Sequence, residues 1–350
     1  MPPTISVIIP VYNAAGYLDR CLRSLKRSRL APLEIIVVDD GSSDGSGEVA
    51  ADHKASLITN HQQRGPAYAR NVGAGAAQGD VLLFLDSDVS VHENTLGQIA
   101  RAFESAPSLD AVVGSYDDSP DAQNFVSLYK NLLNHYMHQS SRSGTFTFWG
   151  ACGAIKKEVF FSHGGFDTKY VKPSIEDIEL GYRLAAAGRR VILANHVLVK
   201  HLKRWGLRSL IETDIWRRAV PWTELILRYR SLPDDLNLRW SQRLSTLLIF
   251  ITLASLILSA AGPKGPTLLI SLGGFLSSIL LNCDFYLFLG RLKGVRFALC
   301  VMPLHALYFL YSGLAFLIGA VKYALTKPAS DGKDLMAHEH KRAEEHGLKR

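Results

Sequence analysis

The stretch DVLLFLDSDVSV, residues 80–91, decides how the first part of the chain is read. Val81 to Leu85 is a continuous apolar run, the pattern of a strand buried on both faces in a parallel sheet. The run then delivers Asp86-Ser87-Asp88 to the strand's carboxyl end. Two like charges one residue apart repel, and neither is cheap to desolvate alone, so this edge calls for positive charge. A hard divalent cation takes carboxylate oxygens, keeps several waters and is commonly completed by substrate phosphates. Asp86 and Asp88 are therefore candidate ligands for Mg²⁺ or Mn²⁺ bound against a diphosphate. There the metal would act as a Lewis acid on a departing nucleoside diphosphate. An Asp-x-Asp alone also arises by chance or as a helix cap, and the preceding strand is what gives it weight.

Outward from that strand, the segment up to about residue 230 alternates strand-like and helix-like stretches. TISVIIPVYN (4–13) is apolar and β-branched, and Pro10 is expected to end it. Leu18, Cys21, Leu22 and Leu25 fall on one face of an amphipathic helix. LEIIVVDDGSSDGS (33–46) is a second buried strand entering a turn, and GPAYARNVGAGAAQG (65–79) is small and helix-compatible. This β-α-β-α-β rhythm predicts an α/β doubly wound sheet with ligands at the carboxyl ends of its strands. Asp39-Asp40 and Asp86-Ser87-Asp88 both fall on that edge.

Past about residue 235 the chain becomes a series of long apolar runs. Leu244 to Ala261 lacks charge for roughly 18 residues, about 27 Å of helix against a hydrocarbon core of about 30 Å. Segments 267–289 and 297–325 are further candidates, the former carrying Asn282 and Asp284 and the latter Pro303. The expected organisation is a 1–235 catalytic domain, an all-α transmembrane region over 236–326 with about three spans (244–261, 267–289, 297–325), and a charged tail, 327–350. Between them, residues 201–230 interleave Trp205, Leu210, Ile215, Trp216, Trp222 and Leu225 with arginines. That composition suits helices lying in the headgroup plane, or a docking surface for the spans. The net charge of +7 fits a membrane partner, with no nucleic acid required. The basic loop GRLKGVR (290–296) belongs inside, which puts the catalytic domain of a multi-pass protein on the cytoplasmic face. The N-terminus reads as a first strand, not a signal peptide. The four cysteines form no C-x-x-C pair and indicate neither zinc nor a disulfide framework.

Two further constellations carry possible chemistry. Asp39-Asp40-Gly41-Ser42 reads either as a strand-to-turn cap or as a carboxylate accepting hydrogen bonds from a base or ribose. SIEDIELGYRLAAAGRRV (174–191) places Glu176, Asp177 and Glu179 at a helix start. They complement the dipole there, or offer a general base to an acceptor hydroxyl. With no G-x-G-x-x-G after the first strand and no G-x-x-x-x-G-K-[ST], the dinucleotide and P-loop readings lose their main support.

Five stretches in this order, SVIIPVYNAAGYLDRCLRSL, EIIVVDDGSSDGS, RGPAYARNVGAGAAQGDVLLFLDSDV, GACGAIKKEVFFSHGGFD and IEDIELGYRLAAAGRRV, resemble family 2 glycosyltransferases. The match covers roughly residues 4–200. The resemblance implies a GT-A fold, a nucleotide-sugar donor (UDP-linked as the first guess), a divalent cation and an inverting reaction. By position, Pro10, Tyr12 and Asp40 would line the nucleoside pocket and Arg70 would reach the nucleotide. Asp86, Ser87 and Asp88 would serve ribose, diphosphate and metal, and Asp177 of the Glu176-Asp177 pair would be the base. Trp149, Gly150 and Cys152 would lie on the acceptor side, Cys152 reading otherwise as a small buried residue. His201 is similar to the histidine that completes the metal shell in many such enzymes. HLKRW (201–205) resembles the Q-x-x-R-W motif of processive synthases, with His201 in place of Gln. The expected function is an inverting glycosyltransferase acting on a membrane lipid or lipid-linked glycan. The alternatives are a processive polysaccharide synthase, separated by product length, and a non-catalytic membrane scaffold with the same fold.

Overall fold

The computed structural model describes residues 2–326 apart from 142, 143, 146, 261 and 263. The tail from 327 and the end of the first expected span at Ala261 lie outside the described residues. The chain runs β1 (Ile5–Val11), α1 (Ala15–Lys26), β2 (Glu34–Asp39), α2 (Ser46–Asp52), β3 (Ser56–Thr59), α3 (Pro66–Ala76), β4 (Val81–Leu85) and β5 (Val89–Val91). It continues through α4 (Thr95–Ser105), β6 (Ala111–Tyr116), α5 (Phe125–Gln139), β7 (Cys152–Lys156), α6 (Lys157–Ser162), α7 (Glu176–Ala186) and β8 (Val191–His201).

These strands form one sheet in the order β3-β2-β1-β4-β7-β6-β8-β5. The first four are parallel, so the carboxyl ends of β1, β2 and β4 lie on one edge, as the rhythm predicts. β7 is antiparallel to both β4 and β6. Successive β4 residues enter two cores: Val81, Leu83 and Leu85 pack with α1 and α4, Leu82 and Phe84 with α3, α6 and α7. That two-sided burial is why the run is apolar without alternation. Gly73 lets α3 approach the sheet, since a Cβ there would lie 2.6 Å from the Ile8 side chain. β1 does not end at Pro10 but continues to Val11; its pairing with β4 stops at Ile8, so the proline's missing N–H falls where the strand has β2 alone beside it.

The second part is helical: α8 (Leu207–Glu212), a π-helical stretch (Thr213–Ala219), α9 (Val220–Tyr229), α10 (Trp240–Leu258), α11 (Lys264–Leu281), α12 (Cys283–Lys293) and α13 (Val295–Thr326). Three described helices, α10, α11 and α13, are long and apolar enough to cross a membrane. The stretch expected as one span over 267–289 is two helices broken at Asn282. The buried Asn282 amide donates to Ser245 Oγ and to Ser278 O, each at 2.8 Å, and accepts from Gln242, so a polar network replaces helix continuity. The basic 290–296 stretch is mostly helical, with Gly294 at φ +89° as its only joint. α13 runs through Pro303. α9 lies tightly on α13, where a Cβ on Gly319 would come within 2.7 Å of Thr223. In the interleaved stretch, Trp205, Leu210 and Leu225 face inward, while Trp216 stays 61% exposed.

Candidate active site

β4 ends into a tight turn, Val89 N–H donating to Asp86 O at 3.2 Å, which sets Asp86, Ser87 and Asp88 on the sheet's carboxyl edge, half-buried. The β5–β8 register pairs Val89 with His201. His201 is thereby carried beside Asp88, Nε2 standing 3.9 Å from Oδ2, and its ring stacks on Tyr116 at 4.3 Å. Burial, with Lys203, Arg218 and Lys130 nearby, lowers the imidazole to about 3, so it is neutral and able to ligate. Burial and the neighbouring Asp86 push the Asp88 carboxyl up to about 6. The charge repulsion expected of the Asp-x-Asp is present in the fold, and Lys203 and Arg218 offset part of it.

Arg70, on α3, joins the two halves of the site. Its guanidinium donates to Asp86 Oδ1 at 2.6 Å and to Glu176 Oε1 at 2.8 Å, and its side chain is 5% exposed. Glu176 also accepts from Ser174 N–H at 2.9 Å. Arg70 and Glu176, both expected as substrate-binding residues, thus each have a protein partner. Asp177, the next residue, accepts from Gly150 N–H at 2.9 Å and from its neighbour Ile178 N–H at 2.8 Å. Burial and Glu176 raise its carboxyl to about 6, against the pull of those N–H groups and Arg70. Gly150 has no room for a side chain, since a Cβ would sit 2.9 Å from the Arg70 guanidinium.

Asp40 is 3% exposed and accepts from Asn60, from Arg64 N–H and, at 2.7 Å, from Gly65 N–H. It organises the loop before α3. Asp39 forms the strand-to-turn cap, accepting from Ser42 N–H at 2.9 Å with Gly41 at φ +86°. Tyr12 is exposed at 44% at the end of β1, and Pro10 is buried. Trp149 packs edge-on against Tyr116 at 4.6 Å. Cys152 is 1% exposed, a small buried residue whose thiol burial raises to about 12.

A cavity of about 140 Å³ is lined by Asp86, Asp88, Tyr116 and His201 together with Lys203, Trp205, Thr213, Arg217 and Arg218. Arg217 and Arg218 belong to the arginines of the 201–230 stretch, which composition reads as interfacial or as a docking surface, and nothing in the sequence marks them, Tyr116 or Thr213 as site residues. Among the described residues no three or more His, Cys, Asp or Glu side chains converge as a closed metal site. The two carboxylates and the neutral imidazole fit a divalent cation that takes its remaining ligands from substrate oxygens and water.

The family model described as Glycosyl transferase family 2 matches residues 6–163. The chain is 33% identical over 243 residues to glycosyltransferase GlyG of Streptococcus pneumoniae, covering 63% of this chain and 78% of GlyG. It is 27% identical over 233 residues to glycosyltransferase GlyA of the same organism, covering 62% of this chain and 33% of GlyA. In structure it is similar to the mannosyltransferase PcManGT from Pyrobaculum calidifontis, solved with GDP-Man and Mn²⁺. The TM-score is 0.51 at 19% identity, over 94% of this chain and 89% of that one. The fold is GT-A, followed by the helical region with its candidate spans.

Proposed function

The chain belongs to glycosyl transferase family 2 and is a glycosyltransferase using a nucleotide-sugar, and from that premise we propose an inverting transfer to an acceptor held at the membrane. One observation carries the reading: the Arg70 guanidinium ties Asp86, on the donor edge, to Glu176, the residue before Asp177. Donor carboxylates and candidate base thus belong to one rigid constellation. The acceptor oxygen attacks the anomeric carbon as the bond to the nucleoside diphosphate breaks, inverting the centre. Asp177 takes the acceptor hydroxyl's proton, its two backbone N–H bonds fixing the carboxylate's direction. Asp86 and Asp88, with His201 beside them, would hold Mn²⁺ or Mg²⁺, which supplies Lewis acidity toward the leaving diphosphate when bound. Arg70 holds Asp86 in place, and Tyr12 offers an exposed ring to the nucleoside at the end of β1.

Three apolar helices of spanning length, one of which, α13, bonds through Tyr311 to Asp214 of the π-helical stretch, support a multi-pass protein acting on a membrane lipid or lipid-linked glycan, with the catalytic domain on the cytoplasmic face. Calorimetric titration of UDP and GDP into the full chain, with and without Mn²⁺, tests the donor half. The expected result is metal-dependent binding of one nucleotide that Asp88→Asn lowers at least tenfold. Binding of neither nucleotide by folded protein would overturn the reading.

A further inference from the structure

Ser174, two residues before Glu176, makes two bonds in opposite directions. Its N–H donates to Glu176 Oε2 at 2.9 Å, and its hydroxyl donates to the carbonyl oxygen of Arg217 at 2.7 Å. That carbonyl lacks its usual donor for a reason written in the sequence. In an α-helix it would accept from the N–H four residues on, and that residue is Pro221, which has none. The π-helical stretch Thr213–Ala219 closes just before this proline, Val220 N–H donating to Ile215 O, five residues back.

The same stretch is held from the helical region at Asp214. There the carboxylate accepts from Lys130 Nζ on α5 at 2.8 Å and from the Tyr311 hydroxyl on α13, a candidate span, at 2.8 Å. One short element, pinned at Asp214 and at Arg217, therefore links α13 to the start of α7. From Ser174 the bonds continue inward: Glu176 accepts from Arg70 at 2.8 Å, and Arg70 donates to Asp86 at 2.6 Å. Asp177 comes next in the chain, and its two donors are Gly150 N–H, just before β7, and Ile178 N–H, within α7. Its carboxylate keeps both bonds only while the first turn of α7 stays in place.

Burial alone does not fix that place. Ile175 is 0% exposed and packs with Leu225 and Ile226 of α9, an apolar contact without direction, while Lys172 and Pro173 on the approach are exposed. The Ser174 hydroxyl supplies the direction that apolar packing lacks. We infer that Ser174 is a positioning residue for sugar transfer: through the Arg217 carbonyl it sets the start of α7, and with it Asp177, from the π-helical stretch that Tyr311 anchors to α13. This rests on Asp177 being the base, as above, and adds what sets its direction.

The test uses the full chain in nonionic detergent, with Ser174→Ala, Ser174→Thr and Tyr311→Phe. Hydrogen exchange reads the position without any substrate. Ser174→Ala is expected to speed exchange at the Gly150 and Ile178 amides by about fivefold or more, with the amides of β1 unchanged. Ser174→Thr keeps a hydroxyl and should stay within about twofold of the unaltered chain. Tyr311→Phe should speed the same two amides, although its lost bond is to Asp214. The double variant Ser174→Ala/Tyr311→Phe should be no faster than Ser174→Ala, because Tyr311 acts through the bond already removed. For function, nucleotide release from GDP-mannose or UDP-N-acetylglucosamine with Mn²⁺ is followed with water as the acceptor. In Ser174→Ala, kcat should fall about tenfold with KM unchanged, and Ser174→Thr should recover it. Unchanged exchange in Ser174→Ala, equal loosening of β1, additive effects in the double variant, or a loss in Ser174→Thr as large as in Ser174→Ala would each overturn the inference. If the unaltered chain binds neither UDP nor GDP, the donor reading falls, and the clamp stands or falls on exchange alone.

Discussion

The sheet edge and the arginine-rich stretch that lines the same cavity are built on opposite principles. At the edge, charges are paired within the protein: Arg70 lies between Asp86 and Glu176, and Asp177 is fixed by two backbone N–H groups. On the other side of the cavity, Lys203, in the loop after β8, and Arg217 have no carboxylate partner among the described residues, and Arg217 stands on a π-helical stretch that its own Asp214 ties to Lys130. π-helical turns recur where a protein trades helix regularity for the placement of particular side chains. The edge is preorganised for one transition state, in which charge and geometry are fixed in advance.

The largest effect should come from removing the base and leaving its shape. Asp177→Asn is expected to lower kcat by about 10²–10⁴-fold with nucleotide affinity unchanged, measured by sugar transfer beside calorimetry. An equal loss in nucleotide binding would mean that Asp177 belongs to the donor pocket. The unaltered enzyme should also show a rising limb of kcat/KM near pH 6, because burial and Glu176 hold the Asp177 carboxyl at about 6 and only its ionised form accepts a proton. Asp88 lies at about 6 as well, so the apparent midpoint belongs to both carboxylates until Asp177→Asn separates them. Stability runs the other way. A carboxyl raised on folding favours the fold below about pH 4, and that contribution is lost as the pH rises through about 6.

Next in size are the two buried ion pairs, one from each region. Arg70→Met strands Glu176, whose side chain is 5% exposed, and should cost about 3–5 kcal/mol, read as a fall in thermal midpoint in detergent. Asp214→Asn strands Lys130, 6% exposed, at a similar cost. There, burial opposes charge on both groups, and Lys130 and Arg218 still hold the Asp214 carboxyl below the usual range. The two should differ in function: Arg70→Met loses nucleotide binding, while Asp214→Asn keeps it and loses acceptor turnover. Loss of nucleotide binding in both variants would mean that the arginine-rich stretch and the edge are one site.

What the sequence made legible follows the range of the interactions involved. The strand run 81–85, the helix face of Leu18, Cys21, Leu22 and Leu25, and the shared edge of the acidic strand ends are local patterns, and the fold keeps them. The Arg70–Glu176 pair spans 106 residues, and nothing near either residue announces the other. The same is true of Gly150, whose missing side chain matters only because Arg70 lies against it. β7, inserted antiparallel between β4 and β6, breaks a parallel rhythm that periodicity alone would have continued. Asn282 was visible as a polar blemish in an apolar run. That it would end the helix depended on Ser245 and Gln242 in the preceding span.

The smallest expected effect concerns Trp216 and bears on what the outer side of the arginine-rich stretch meets. Trp205 and Trp216 lie in the same basic stretch, but Trp205 is 5% exposed against the core and Trp216 is 61% exposed. A side chain this open contributes little to folding, so Trp216→Phe should change stability by no more than about 0.5 kcal/mol. Its environment is the informative quantity. If the stretch lies in the headgroup plane, the indole sits at the lipid interface, where amphipathic rings are favoured. In vesicles of bromine-labelled phospholipid, Trp216 should then be quenched, and Trp216→Phe should remove that quenched fraction while Trp205→Phe removes an unquenched one. A Trp216 quenched by aqueous iodide and not by the brominated lipid would place this face in water. The arginine-rich stretch would then be a docking surface for α13 alone.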